Sequence, residues 1–190
     1  TSDAVAASPG FGSMASGIMK IGGFLSKGLN ALGMGTDGMC VCAGTKVYTA
    51  DGTVKNIENL VEEDEIIGWD EKVKSSQIKL RIPTKKECVK ITFSNNSFLE
   101  CSLDHPIYTK VNGQFHFIKA DDLTKGSVVA AVEDITKDKI TELVVTSIKN
   151  IGEKIVYNLE ATDHHTYLAN NIITHNTTQD AILGSPFFAL

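Results

Sequence analysis

The sequence lacks an excess of basic residues and a long apolar run, and each absence excludes a class of protein. Its 190 residues hold 18 Lys and Arg against 23 Asp and Glu, a net charge of −5. This balance argues against a dedicated nucleic-acid surface. No apolar run reaches the roughly 18 residues that a membrane span needs. Because the first residues also lack the pattern of a secretory or organellar leader, we expect a soluble, cytoplasmic domain.

The four cysteines stand at irregular spacings, which do not indicate a disulfide framework or a structural zinc site. Cys42 follows Cys40 by two residues, closer than the spacing of paired zinc ligands. We interpret Cys42 as a small apolar side chain in a strand, with a redox partner of Cys40 or an adventitious metal ligand that stalls Cys40 as the alternative. Cys88 and Cys101 are expected on the two arms of one hairpin, as core thiols. We therefore expect no cofactor and no metal.

The composition changes abruptly at two points along the chain. Residues 1–39 contain all four methionines, nine of the sixteen glycines and only four charges. Residues 40–176 contain 36 of the 41 charged residues and no methionine, and residues 177–190 return to low charge. This pattern predicts a central domain, 40–176, inserted between an N-terminal flank, 1–39, and a C-terminal flank, 177–190.

The central segment has the pattern of an all-β domain, with short apolar runs separated by turns every 8–12 residues. Asp51-Gly52 and Asn112-Gly113 are strong hairpin turn signals. Short helical pieces are expected at 57–62 and 120–123, and apolar residues at helical spacing predict a glycine-interrupted helix in the N-terminal flank. The predicted strands are 46–50, 53–57, 65–69, 77–82, 89–93, 98–101, 107–111, 114–118, 127–132, 143–148, 154–160 and 167–174.

Reactive side chains stand at both composition boundaries. Cys40 follows Met39 directly, and its thiol can attack the Met39 carbonyl carbon to convert the amide into a thioester. Asn176 precedes Thr177, and its side-chain amide can attack its own carbonyl to form a succinimide and cut the chain. The Thr177 hydroxyl can accept the acyl group from the thioester. These groups are the parts needed to remove 40–176 and join Met39 to Thr177.

Four motifs, in order, resemble those of inteins, the protein-splicing members of the Hint superfamily, in a minimal form without a homing endonuclease. The resemblance covers 137 residues and implies a horseshoe-shaped all-β fold with pseudo-two-fold symmetry, short helices and both junctions close together, with flexible or helical flanks outside it. The matching segments are Cys40-Val41-Cys42 through Asp51-Gly52, Ser102-Leu103-Asp104-His105-Pro106, Val156-Tyr157-Asn158-Leu159 with His165, and Tyr167-Leu168-Ala169-Asn170 through His175-Asn176.

The resemblance implies roles for residues at the N-terminal junction. Cys40 is the first nucleophile, and His105 protonates or hydrogen-bonds the scissile nitrogen, as suits a pKa near neutrality. Ser102, where the family usually has Thr, hydrogen-bonds the same peptide. Asn158 stands where the family usually has Asp, and an amide cannot take up a proton at neutral pH. The departure puts the rate and order of the steps in question.

At the C-terminal junction, the resemblance makes Thr177 the second nucleophile and Asn176 the residue that cyclises. His175 polarises the Asn176 carbonyl and His165 relays a proton, help that is worth about 10²–10⁴ in rate. His164 matches no position of the family, and we interpret it as a solvated surface histidine.

The leading hypothesis is therefore single-turnover, autocatalytic splicing by a monomer whose only partners are its own flanks, with no nucleic acid and no membrane. One alternative is an intein-like domain that mainly cleaves at its junctions, which Asn158 favours. Another is a cysteine hydrolase that acts in trans through Cys40 and His105. The last is a non-catalytic protein that carries a decayed β insertion.

Overall fold

The structure, a computed structural model, describes residues 39–176. Regular structure within this range is almost entirely β-strand, with two short 3-10 helices at Ile57–Asn59 and Ala120–Asp122, and no helix in it is long and apolar enough to cross a membrane. The all-β prediction is confirmed. The strands are β1 (Val41–Cys42), β2 (Lys46–Tyr48), β3 (Val54–Asn56), β4 (Glu65–Trp69), β5 (Val73–Leu80), β6 (Thr84–Phe93), β7 (Phe98–Ser102), β8 (Pro106–Val111), β9 (Gln114–Lys119), β10 (Val128–Ala131), β11 (Thr141–Tyr157), β12 (Leu159–Ala161), β13 (Thr166–Ala169) and β14 (Ile172–His175).

One large antiparallel sheet carries both ends of the described segment. Its strand order is β9-β8-β14-β10-β11-β1-β7-β6, with β13 paired to β14. Two smaller sheets, β12-β5-β4 and β2-β3, complete the fold. The main core gathers apolar residues from many of these strands, including Ile91, Ile107 and Ile172, each with no exposed surface. Strands β1 and β14 are therefore held in the interior of the domain.

Asparagine-containing turns close two hairpins. Asn112 and Gly113 have φ values of 53° and 82° and join β8 to β9, as the sequence predicts for a two-residue turn with positive φ. Asn170 and Asn171, at 50° and 70°, separate β13 from β14, where the sequence predicted one continuous strand, 167–174. The error arises because this Asn pair lies between apolar residues without a glycine to mark the turn.

The opposite error occurs at β11, which runs unbroken from Thr141 to Tyr157 where two strands were predicted. It pairs with β6 through two register shifts, one of them beside Gly152, whose φ is 77°. A β-bulge places an extra residue in one strand and disturbs the pairing only locally, so the hydrogen bonds between the two strands can resume beyond it. The helical pieces predicted at 57–62 and 120–123 are present but shorter. The helix predicted in the N-terminal flank lies outside the described residues.

Candidate active site

Cys40 lies directly before β1, between two strands that lead to other candidate residues. Val41 pairs with Cys101 of β7 on one side and with Tyr157 of β11 on the other. These antiparallel registers place Ser102 and Asn158 beside Cys40. The Cys40 side chain is fully buried, so the fold shields the thiol and the adjoining peptide from water.

Ser102 makes hydrogen bonds with both the backbone N–H and the backbone carbonyl of Cys40. The Cys40 N–H donates to Ser102 Oγ at 3.0 Å, and the Cys40 carbonyl accepts from the Ser102 N–H at 2.9 Å. Because the N–H in the first bond belongs to the Met39–Cys40 amide, Ser102 is in direct contact with the bond predicted to break. The structure therefore brings Ser102 and Cys40 together as the sequence predicts.

Met39 adopts a left-handed backbone conformation, with φ of 65°. This conformation costs a residue with a Cβ roughly 1–2 kcal/mol. Left-handed strain of this kind is concentrated at functional sites, where surrounding contacts enforce it. The strain here is located at the acyl side of the Met39–Cys40 bond.

His105 is completely buried, and neither of its ring nitrogens makes a hydrogen bond of normal geometry. Burial lowers the pKa of His105 to about 4, although the nearby Met39 carbonyl and Asp104 act in the opposite direction. The ring packs edge-on against Tyr167, with centroids 6.2 Å apart. At neutral pH the imidazole is uncharged, and its one N–H can donate only toward an acceptor such as the nearby Met39 carbonyl.

The C-terminal junction is fixed by three hydrogen bonds to Asn176. Its side-chain Oδ1 accepts from the Ala161 N–H at 2.8 Å, and its backbone N–H donates to the His165 carbonyl at 2.9 Å. His175 Nδ1 lies 2.7 Å from the Asn176 carbonyl oxygen. Since a carbonyl oxygen only accepts, Nδ1 must carry the proton. An anchored Oδ1 and a polarised carbonyl are features that can favour attack of an asparagine side-chain amide on its own carbonyl carbon.

The two junction histidines, His165 and His175, lie next to each other, with ring centroids 6.3 Å apart. Burial lowers the pKa of His175 to about 4, and its ring packs edge-on against Phe117 at 4.9 Å. His165 has φ of 63° and a buried Nδ1 without a hydrogen-bond partner. His175 is therefore a neutral donor at pH 7, while His165 has a ring nitrogen available for proton transfer.

One loop, residues 102–105, connects the two junctions. It begins at Ser102, which is bonded to Cys40, and leads into β8, where Ile107 pairs with Thr174 of β14. Backbone N–H groups of Ala120 and Asp121 donate into this loop and hold it. Extending this antiparallel register by two residues places His105 opposite Asn176, just after β14. The same loop therefore reaches both Cys40 and Asn176.

The arrangement can be compared with known proteins. The sequence matches no family model. A 104-residue segment is 26% identical to the DNA polymerase II large subunit of Pyrococcus horikoshii and spans 53% of this chain but 7% of that protein. The TvoVMA intein superposes with a TM-score of 0.68 at 19% identity, over 74% of this chain and 99% of that one.

Two further solved structures agree. A DnaB intein from Synechocystis sp. PCC 6803 gives a TM-score of 0.62 at 21% identity, covering 73% of this chain and 99% of its own. The gp41-1 intein gives 0.61 at 22% identity, covering 72% and 98%. Residues 39–176 have the intein fold. Within this fold, the pairing of β1 on both sides leaves Cys40 fully buried.

Asn158 follows the last residue of β11 and is buried. Its carbonyl accepts from the Arg81 N–H at 3.1 Å. The pairing of Tyr157 with Val41 places Asn158 beside Cys40, and its proposed role at the junction stays a prediction. Thr177, the predicted second nucleophile, lies outside the described residues.

The other thiols of this intein fold are free and buried. Cys42 and Cys88 pack together with Cys40, and Cys88 and Cys101 lie on the paired strands β6 and β7, as the sequence predicts. A hydrogen bond with Cys88, followed by burial, raises the pKa of Cys42 far above its usual value. Cys42 is thus a neutral core side chain. Among residues 39–176, no group of His, Cys, Asp and Glu is arranged to hold a metal ion.

The prediction for His164 was wrong. Its ring is half-buried, with Nδ1 3.0 Å from Thr166 Oγ1 and Nε2 3.1 Å from the Lys74 carbonyl oxygen. It ties β5 to β13 instead of lying in solvent. Sequence reasoning also assigned no role to Asp104, whose carboxylate contacts the first junction, although Asp104 stands within the motif that contains Ser102 and His105.

Proposed function

We propose that this chain catalyses its own splicing, removing residues 40–176 and joining Met39 to Thr177. The observation that carries the proposal is the loop 102–105, which is bonded to Cys40 at one end and pairs toward Asn176 at the other. A fold that holds both junctions against one loop favours a reaction that couples them. The substrate is the protein's own flanks, so the reaction has one turnover and needs no cofactor.

The first step is acyl transfer at Met39. The Cys40 sulfur bonds to the Met39 carbonyl carbon, the C–N bond breaks, and the thiol proton is transferred to the departing nitrogen. Giving up amide resonance makes this step unfavourable. The left-handed strain at Met39 is relieved as the bond breaks, and neutral His105 stands ready to exchange a proton at the scissile peptide.

The second half begins when the Thr177 oxygen bonds to the Met39 carbonyl carbon, the C–S bond of the thioester breaks, and the hydroxyl proton passes to the departing Cys40 sulfur. Asn176 Nδ2 then attacks its own carbonyl carbon, the bond to the Thr177 nitrogen breaks, and a succinimide closes. His175 donates to the carbonyl oxygen whose negative charge grows in this step. The freed Thr177 amine finally bonds to the Met39 carbonyl carbon, the ester C–O bond breaks, and the proton lost by the amine restores the Thr177 hydroxyl, leaving an amide between Met39 and Thr177.

A second candidate is a domain that mainly cleaves at its junctions, and the buried amide of Asn158 favours it. Attack by Thr177 needs a base, and an amide beside Cys40 cannot serve as one. Slow acyl transfer gives Asn176 time to cyclise first. Hydrolysis in trans is disfavoured because Met39, which is only 8% exposed, already occupies the acyl position next to Cys40.

Single replacements in the full 190-residue chain test the proposal by intact mass. Cys40→Ala is expected to stop N-terminal cleavage and ligation while allowing release of residues 177–190. Asn176→Ala is expected to stop C-terminal cleavage while a thiol still releases residues 1–39. The same loss at both junctions from either replacement, or no effect of either, would contradict splicing.

A further inference from the structure

The Asp104 carboxylate makes three contacts that centre on the N-terminal junction. Its Oδ1 accepts from the Met39 N–H at 3.0 Å and from the Ser102 hydroxyl at 2.8 Å. Its Oδ2 accepts from Lys86 Nζ at 3.1 Å, an ion pair that reaches it from β6. One carboxylate therefore holds the residue before the scissile bond and the side chain that contacts the scissile nitrogen.

Ser102 has a single hydroxyl proton, so its side chain can donate only one full hydrogen bond, and the choice of acceptor decides which way the other hydrogen bonds of this network run. Two acceptors lie within reach, Asp104 Oδ1 at 2.8 Å and the Cys40 carbonyl at 3.2 Å. The charged, nearer acceptor is the stronger partner, and the Cys40 carbonyl already accepts from the Ser102 N–H. With its proton directed to Asp104, Ser102 Oγ turns a lone pair to the Cys40 N–H at 3.0 Å.

Asp104 remains ionised throughout the physiological range. Desolvation acts to raise its pKa, but Lys86, the Met39 N–H and the Ser102 hydroxyl outweigh it and hold the pKa well below the usual carboxyl value. Acyl transfer converts the Cys40 amide nitrogen into an amine, which is largely protonated at neutral pH. An anion bonded to Ser102 favours that product, because the positive charge develops beside it.

We propose that Asp104 is a positioning residue for the first acyl transfer, holding the Met39–Cys40 peptide directly at Met39 and through Ser102 at Cys40. The inference rests on the proposed function. It predicts a defect confined to the N-terminal junction, because no contact of the Asp104 carboxylate described above reaches Asn176. A purely structural role would affect both junctions together.

The test compares two separated reactions in the full chain. In an Asn176→Ala background, release of residues 1–39 by dithiothreitol measures thioester formation at Met39. In a Cys40→Ala background, release of residues 177–190 measures Asn176 cyclisation. Asp104→Asn, nearly identical in shape, is introduced into both backgrounds, with Asp104→Glu as the conservative variant. Asp70→Asn, which removes an exposed carboxylate paired with Lys74, is the matched control.

The expected result is a fall of about 10- to 100-fold in thiol-dependent release for Asp104→Asn, in line with loss of charge-assisted hydrogen bonds. Asparagine cyclisation should stay within about twofold of the parent, and Asp104→Glu should recover part of the rate. Equal slowing of both reactions with a lower melting temperature, or an unchanged thiol-dependent rate, would overturn the inference. A parent chain that forms no thioester would instead overturn the proposed function, and the inference with it.

Discussion

Replacing His175 by Leu should slow cleavage at Asn176 far more than it destabilises the fold. His175 Nδ1 donates to the Asn176 carbonyl at 2.7 Å, and the ring is buried against Phe117. Leu fills similar space but cannot donate, so the carbonyl loses the group that stabilises its developing negative charge. Loss of one such donor costs about 10²- to 10³-fold in rate.

The same change also affects stability, and the two effects can be separated. Leaving the buried carbonyl without this donor costs about 1–3 kcal/mol of unfolding free energy, which a denaturant titration measures. The rate is measured in a Cys40→Ala background, where release of residues 177–190 is followed by intact mass and corrected for the folded fraction. His116→Leu, at a partly exposed histidine of β9, is the control. A corrected rate for His175→Leu within about twofold of the parent would refute the role.

Three further predictions follow from buried or strained groups. His105 and His175 have pKa values of about 4 in the folded chain against about 6.5 in the unfolded chain, so the unfolded chain binds more protons in this range. The free energy of unfolding should therefore fall by roughly 3 kcal/mol for each histidine as the pH drops from 6.5 to 4. A urea midpoint that stays constant over that range would contradict their burial as neutral rings. Met39→Gly should relax the left-handed backbone and slow thiol-dependent release of the N-terminal flank by about fivefold, and it should also lower the melting temperature because the buried Met39 side chain is lost. An equal or faster release, corrected for the folded fraction, would show that the strain is not used. Gly68→Ala would place a Cβ against the Thr166 carbonyl oxygen of β13 and 2.6 Å from the His164 ring, and it should cost about 1–3 kcal/mol in urea unfolding. A loss below about 0.5 kcal/mol would contradict the close packing of β4 on β13.

The sequence predicted the fold class because turns and apolar alternation are local signals. Asn112-Gly113 has a backbone requirement that residue type reveals, and the hairpin forms there. Strand limits depend on partners that the local pattern does not contain. The unbroken β11 is an example, since its pairing with β6 carries it past Gly152.

The candidate site likewise contains some residues that the sequence alone identifies and others that only the folded structure reveals. Cys40 and Asn176 could be chosen from sequence because their chemistry depends on their place next to a composition boundary. The contacts of Asp104 with the first junction could not be predicted, because its three partners come from residues up to 65 positions away. His164 was misjudged for a related reason: its partners are backbone carbonyls of β5, and no residue type records them.

The central claim, coupled reaction at both junctions, is tested most directly by the intact mass of the purified 190-residue chain after incubation at neutral pH with reductant. Splicing predicts a free 137-residue segment together with a 53-residue product in which residues 1–39 are joined to 177–190. Separate 39- and 14-residue flanks would show that the domain cleaves without joining. An unchanged mass after prolonged incubation would contradict the proposed activity altogether.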